Sequence, residues 1–100
     1  MAYSTVTQVK EVLGISEAAY DTEITNCITD ADAWIDNKLK RYVATLPFPS
    51  VPATITITSK YRAAAFFRER RDPVGAKAFV DTAVAILQEY IDNYYAGKAQ

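Results

Sequence analysis

The sequence has 100 residues, of which 50% are hydrophobic and 23% are charged, as in an ordinary small globular domain. The formal net charge is −1, so no overall basic field attracts nucleic acid. There is no histidine, the most frequent general base and metal ligand, and the only cysteine is Cys27. We therefore expect one domain over residues 1–100, without enzymatic activity, cofactor or disulfide bond.

The sequence predicts neither a signal peptide at its N-terminus nor a membrane-spanning segment. The first residues, MAYSTV, contain no basic or long apolar stretch, so we expect no signal peptide. No run of about 18 uninterrupted apolar residues occurs, so we expect no transmembrane helix.

The first half of the chain predicts a short helix and a long one. Ser4, Thr5 or Thr7 can cap a helix that runs to about Leu13, and Gly14 is placed to end it. Asp21 is a candidate N-cap for the second helix. Its apolar residues recur at helical spacing in a stripe of about 20 residues: Ile24, Ile28, Ala31, Ile35, Leu39 and Tyr42.

The second half follows a proline-rich loop at residues 46–52. Residues 54–58 (TITIT) alternate like a strand, but a lone strand would have no partner, so we predict one helix from about Ala53 to Arg71. Asp72 as N-cap and Pro73 at the first position begin a last helix that ends at Gly97. The predicted fold is an all-α bundle of about four helices, one short at the N-terminus and three longer.

Charge is strongly segregated along the chain. Residues 1–36 carry seven acidic residues and one basic residue, net −6, whereas residues 37–71 carry eight basic residues and one acidic residue, net +7. The helix dipole explains part of this pattern, because acids suit the start of a helix and bases its end. The alternative is a dipolar molecule that associates head to tail, or that turns a basic face toward a nucleic-acid backbone.

Three arginines within residues 68–71 exceed what a helix end requires. They are either a solvated helix terminus or a contact for carboxylate or phosphate. If they form a contact, reversing Arg70 and Arg71 together should abolish assembly and leave the melting temperature nearly unchanged. The candidate residues for an interface with another subunit or another partner are Arg62, Arg68, Arg70, Arg71, Asp30, Asp32, Asp36 and Tyr95.

Three members of that set, and Trp34 outside it, have interpretations of their own. Asp32 and Asp36 share one helix face, which suits a weak cation site, but an exposed acidic face is favoured and no metal is predicted. Tyr95 lies off the apolar stripe of the last helix, which makes it a better interface residue than its neighbours. Trp34 flanks the stripe of the second helix and suits either the core or the edge of an interface.

The order of these motifs resembles a known family, the small head–tail connector (head-completion or adaptor) proteins of tailed phages and prophages. The family commonly opens with a threonine-capped helix that ends in a Leu-Gly-Ile-like turn. The next segment begins with acidic residues and continues with an alanine-rich turn and an Ile-Asp-x-x-Leu-like stretch. A proline-bearing loop and a third helix follow. The segments that carry the resemblance are Thr5–Ile15, Asp21–Ile24, Ile28–Leu39, Arg41–Tyr42, Pro47–Pro52 and Tyr61–Phe67.

The resemblance implies an all-α, non-enzymatic virion protein at the head–tail junction, made in the host cytoplasm. It implies a ring that matches the twelvefold symmetry of the portal, extends the DNA channel and receives a tail-side completion protein. Packaged DNA would pass without sequence-specific binding, and no membrane or cofactor is involved. The alternative is a small helical nucleic-acid-binding or regulatory domain with its basic surface between Lys38 and Arg71. The helices that follow the two short turns begin acidic, which disfavours a helix-turn-helix.

Overall fold

A computed structural model describes the backbone of residues 2–98 and the side chains of residues 2–94. Across those residues the structure is helical and contains no strand, which confirms the predicted all-α fold with one short and three longer helices. One turn of 3₁₀-helix at Ala18–Tyr20 was not predicted. The α-helices are α1 (Val6–Leu13), α2 (Asp21–Leu39), α3 (Ala53–Glu69) and α4 (Pro73–Lys98).

The first helix begins and ends as the sequence predicts. Thr5 and Gln8 form a capping box, in which the Gln8 N–H donates to Thr5 Oγ1 (3.2 Å) and the Thr5 N–H donates to Gln8 Oε1 (2.9 Å). Gly14 ends the helix at φ 71°, in the left-handed region that glycine adopts without a Cβ penalty. Its N–H donates to the Lys10 carbonyl (2.8 Å). These local signals fix the direction in which the chain enters α2.

The prediction that Asp21 caps α2 is wrong. The 3₁₀ turn leads directly into the helix, so Asp21 is its first residue and Tyr20 occupies the cap position without a side-chain cap. The Asp21 carboxylate instead forms an ion pair with Lys10 of α1. The helix also ends earlier than the stripe suggested, at Leu39, and Tyr42 lies in the turn that follows.

The strand-like segment at residues 54–58 is helical. Ile55, Thr58 and Ser59 are fully buried, and the Thr58 hydroxyl donates to the Thr54 carbonyl (2.9 Å) within the helix. Packing of this face against the core overrides the β-propensity of threonine and isoleucine, because intrinsic propensities differ by less than about 1 kcal/mol per residue.

The last two helices meet at a short turn that was largely predicted. α3 ends at Glu69, so Arg70 and Arg71 lie in the turn rather than in the helix. Asp72 then caps α4, since its Oδ1 accepts from the Gly75 N–H (3.1 Å). The backbone of α4 continues past Gly97 to Lys98.

Helix α3 packs against α1, α2 and α4 and runs antiparallel to both long neighbours. The molecule is elongated, 47 × 27 × 19 Å. Its core forms two clusters, one near the C-terminal end of α3 and one near its N-terminal end. The first is centred on Val9, Ile24, Ile28, Ala64 and Phe67, and the second on Tyr3, Ile35, Leu39, Ile55 and Leu87.

Candidate subunit interface

Two of the acidic candidates belong to a hydrogen-bond network inside the chain. Asp32 accepts from the Tyr3 N–H (2.9 Å) and from the Ser59 hydroxyl (2.7 Å), and Asp36 accepts from the Tyr3 hydroxyl (2.6 Å). The prediction that Asp32 and Asp36 share one helix face is confirmed. The prediction that this face is exposed is wrong for both residues, because each is half-buried. Asp30, in contrast, is exposed.

The network also anchors the proline-rich loop and the N-terminal segment. The Ser4 and Ser59 hydroxyls hydrogen-bond at 2.7 Å, and the Phe48 N–H donates to the Tyr3 hydroxyl oxygen (3.1 Å). Burial and the bond to Asp36 raise the pKa of Tyr3 to about 12, so its hydroxyl keeps its proton. Burial likewise raises the pKa of the Asp32 carboxyl above its ordinary value. The network therefore joins α2 to α3, the N-terminal segment and the loop.

Arg71 is engaged within the fold. Its guanidinium holds the Glu23 carboxylate with two hydrogen bonds of 3.0 Å and also donates to the Phe67 carbonyl (3.0 Å). It stacks on the Phe67 ring at 3.8 Å from the ring centre. The contact fastens the end of α3 to the start of α2. The expectation that Arg71 can be reversed without loss of stability therefore no longer holds.

Arg62 is also engaged within the fold, and it is more deeply buried than Arg71. Its side chain is only 12% exposed, lies 3.9 Å from the Phe66 ring centre and 5.2 Å from that of Trp34, and donates to Glu69 (3.3 Å). Its long stem and planar head fill the space between α2 and α3. Arg62 therefore shapes the surface around Trp34 instead of standing free on it.

Arg70 is the accessible member of the arginine cluster. Its side chain is 61% exposed and reaches Glu23 only at 3.4 Å. Arg68 is half-buried beside Phe79, and its buried Nε has no hydrogen-bond partner within the described residues. Tyr95 lies outside the residues whose side chains the structure describes, so its assignment stays a prediction.

Antiparallel packing changes the charge pattern that the sequence suggested. The basic end of α3 lies against the acidic start of α2, so much of the charge segregation along the chain is cancelled in space. Among the described residues, three exposed cations at the opposite end of α2 form no ion pair: Lys38, Lys40 and Arg41. The exposed acids without an ion pair include Glu11, Glu17 and Asp30.

The surface of the described residues includes an open groove near each end of α3. One, with a volume of about 230 Å³, lies beside Arg68, Arg71 and Tyr20. The other, of about 210 Å³, runs between α2 and α4 beside Trp34 and Val84. Sequence reasoning missed both grooves. The available signal for the second was Val84, an apolar residue of α4 that is 47% exposed.

Within the described part of the chain, no helix has the length and apolar character needed to span a bilayer. The same residues contain no group of three or more carboxylates or thiols placed to share a metal ion. Cys27 is buried, and burial raises the pKa of its thiol.

The Glu23–Arg71 contact predicts a pH dependence. The hydrogen bond from Arg71 lowers the folded-state pKa of Glu23 below its ordinary value of 4.5. The contact therefore stabilises the fold fully above pH 4.5, and this contribution is lost as the pH falls through the lowered pKa. Thermal melts should show wild type more stable than Glu23→Gln at pH 6 to 7. The difference should shrink below pH 4.5, and a difference independent of pH would contradict this role.

Comparison with known proteins identifies one family. Residues 3–74 match the family described as phage gp6-like head-tail connector protein, a range that includes α1, α2 and α3 and ends at the start of α4. No curated protein and no solved structure matches the chain significantly.

Proposed function

The chain belongs to the phage gp6-like head–tail connector family, and from that premise we propose that it forms a ring between portal and tail. In this role it is a structural virion protein that extends the DNA channel and completes the head. The observation that carries the proposal is the family match over residues 3–74. The same range contains the segments from Thr5 to Phe67 that carry the resemblance.

A closed ring of identical copies needs two different, complementary faces on each copy. Unpaired charges of opposite sign are available for such faces. The cations Lys38, Lys40 and Arg41 lie at the C-terminal end of α2, whereas Glu11 and Glu17 lie near its N-terminal end. The 19 residues of α2 separate them by about 28 Å at 1.5 Å per residue, so they cannot neutralise each other within one copy.

Of the predicted interface residues whose side chains the structure describes, Arg70, Arg68 and Asp30 remain the candidates for direct contact with a neighbour or with the portal, and Tyr95 stays a prediction. Arg62 and Arg71, which bind within the fold, and the two networked aspartates support that surface by holding the helices in place. Exposed charge pairs are each worth about 0–1 kcal/mol, so several must act together. We therefore expect a monomer or a concentration-dependent oligomer in isolation, and a stable ring on the twelvefold portal.

The partners follow from this position in the particle. The portal acts as template on one side, and a tail-side completion protein docks on the other. Packaged DNA passes through the channel without sequence-specific binding, because a strongly basic lining would retain it. The net charge of −1 is compatible with such a passage.

The test uses DNA-filled capsids that carry the portal but lack this protein. Purified chain should bind to the portal vertex and appear there as a ring of twelvefold symmetry by electron cryo-microscopy. Capsids without portal serve as the control and should bind none. Absence of binding at the portal vertex would reject the proposal, and a sequence-specific nanomolar complex with DNA would favour the regulatory alternative.

A further inference from the structure

The groove between α2 and α4 presents apolar side chains at the surface. Trp34 and Tyr42 line it on the α2 side, and Val84 and Ile91 line it on the α4 side. Val84 is 47% exposed, whereas Leu87 in the same lining is buried. Both helices pack on α3 and only marginally on each other, so the space between them stays open. An exposed apolar surface rimmed by polar groups marks a place where another molecule binds.

The volume of the groove limits what can enter it. It measures about 210 Å³. An apolar cavity of about 150 Å³ holds one benzene molecule, so the groove has room for one large apolar side chain such as phenylalanine or leucine. A helix that binds in a groove uses a row of apolar anchors along one face. A short segment with a single apolar anchor therefore fits this groove better than a long helix.

The α2 side of the groove is cationic. Lys38 lines the groove, and Arg41 follows it after about one helical turn. Lys40 lies between them, and none of the three forms an ion pair within the described residues. Complementary charges steer association and fix the register of a contact. The groove therefore suits an occupant that carries carboxylates next to its apolar anchor.

The acidic residues of the same region do not pair with these cations. Asp36 belongs to the internal hydrogen-bond network, and Asp92 accepts from the Gln88 side chain (3.0 Å). Glu89 follows Val84 by a rotation of about 140° around α4, which places it on the side of the helix away from the groove. The groove therefore keeps a cationic side that a partner can match.

The described surface of a second copy does not supply such an acidic anchor. Outside the groove, the exposed large hydrophobic residues are Ile57 and Val74. Val74 shares its corner with the exposed cations Arg70 and Lys77, and Ile57 is followed one helical turn later by Lys60. Either residue would bring cations toward the cations of the groove. The complementary segment therefore belongs to a different protein.

We propose that the α2–α4 groove docks a short acidic segment of another protein. One large apolar side chain of that segment enters between Trp34 and Val84, and its carboxylates face Lys38 and Arg41. A nucleic-acid strand would also satisfy the cations, but it would leave the aliphatic wall of α4 without an apolar partner. As a contact inside the particle the inference rests on the proposed function, whereas the peptide-binding groove itself can be tested on the isolated chain.

The fluorescence of Trp34 tests the docking, because Trp34 is the only tryptophan of the chain and lines the groove. Purified chain is titrated at low salt with a synthetic peptide that carries one phenylalanine between two runs of glutamate. We expect the emission to shift to shorter wavelength as water leaves the indole, with a dissociation constant of about 1 mM or lower. Replacing the phenylalanine of the peptide with serine, or its glutamates with lysine, should weaken binding at least about tenfold.

Paired variants of the chain locate the site. Val84→Asp should weaken peptide binding at least about tenfold, because the apolar anchor would meet a carboxylate. Its matched control, Val74→Asp, makes the same change at an exposed position outside the groove and should bind like wild type. Arg41→Glu should also weaken binding, whereas Arg70→Glu produces the same net charge at the opposite end of α2 and should not. All four side chains are exposed, so the melting temperatures should stay near that of wild type. Equal binding by the two members of either pair overturns the inference.

Three further outcomes separate the groove from its alternatives and from the connector role. A single-stranded DNA oligonucleotide that shifts the Trp34 emission at lower concentration than the acidic peptide would assign the groove to nucleic acid and overturn the inference. No response to the peptide, together with rings at the portal, would reject the groove contact and leave the connector function standing. Peptide binding by a chain that never binds the portal vertex would support the groove contact and reject the connector role.

Discussion

Replacing Asp32 with alanine should lower the free energy of unfolding by about 2–4 kcal/mol, because it leaves buried donors without a partner. The Tyr3 N–H and the Ser59 hydroxyl both lose their acceptor, and Ser59 in turn holds Ser4. Relief of the burial cost of the Asp32 carboxylate offsets only part of this loss, since its oxygens accept both bonds. A chain of this size has only about 5–15 kcal/mol of stability in total, so the loss is a large fraction of it.

Urea denaturation followed by circular dichroism measures this effect. The control is Asp30→Ala, two residues earlier on α2 but exposed, which should change stability by no more than about 0.5 kcal/mol. Asp32→Asn should lie between the two, because one amide oxygen can still accept a hydrogen bond. If Asp32→Ala matches Asp30→Ala, the network does not stabilise the fold.

The same substitution has a consequence for the surface. Tyr3 packs edge-on against Phe48 at 5.6 Å between ring centres, and Phe48 packs against Tyr90 of α4 at 6.1 Å. Loss of the Asp32 anchor therefore loosens the N-terminal segment and the loop beside the second core cluster. We expect weaker assembly from this variant even at temperatures where α1 to α4 remain helical.

Local signals in the sequence were sufficient to predict the four α-helices but not the 3₁₀ turn. Thr5, Gly14 and Asp72 each act through residues no more than four positions away, so their roles could be recognised without knowing the fold. Asp21 failed as a predicted cap because the 3₁₀ turn leads directly into α2 and makes Asp21 its first residue, where its carboxylate pairs with Lys10 of α1. The strand-like residues 54–58 were correctly assigned to a helix, since no second strand was present to pair with them.

The surface was harder to predict, because contacts between residues far apart in the sequence decide which charged side chains stay exposed and unpaired. Arg71 and Glu23 are 48 positions apart, and Ser59 and Asp32 are 27 apart. A net charge summed along a segment ignores that α3 returns antiparallel to α2 and brings its arginines to the acidic start. One useful signal was present: Ser59 lies on the buried face of α3, and a buried hydroxyl requires a partner.

Charge reversal at Arg70 and at Arg71 should have opposite consequences, although the two residues are adjacent. Arg71→Glu places a second carboxylate beside Glu23 and removes the stacked guanidinium from Phe67, so the melting temperature should fall by several degrees. Arg70→Glu alters a side chain that is 61% exposed and should change stability by no more than about 0.5 kcal/mol. It should nevertheless reduce binding to portal-bearing capsids at least tenfold, because Arg70 is the cluster's accessible cation.

The matched control for Arg70 is Lys77→Glu, which produces the same net charge. Lys77 is 76% exposed and forms only an exposed ion pair with Asp81 one helical turn away. Binding to capsids, measured by co-sedimentation, should be normal for Lys77→Glu and weak for Arg70→Glu, with unchanged melting temperatures for both. If the two variants bind equally well, Arg70 is only a solvated helix end. If Arg71→Glu melts like wild type, the Glu23 contact does not hold α3 against α2. A loss of assembly on reversing Arg70 and Arg71 together would then report a surface contact and not a loss of stability.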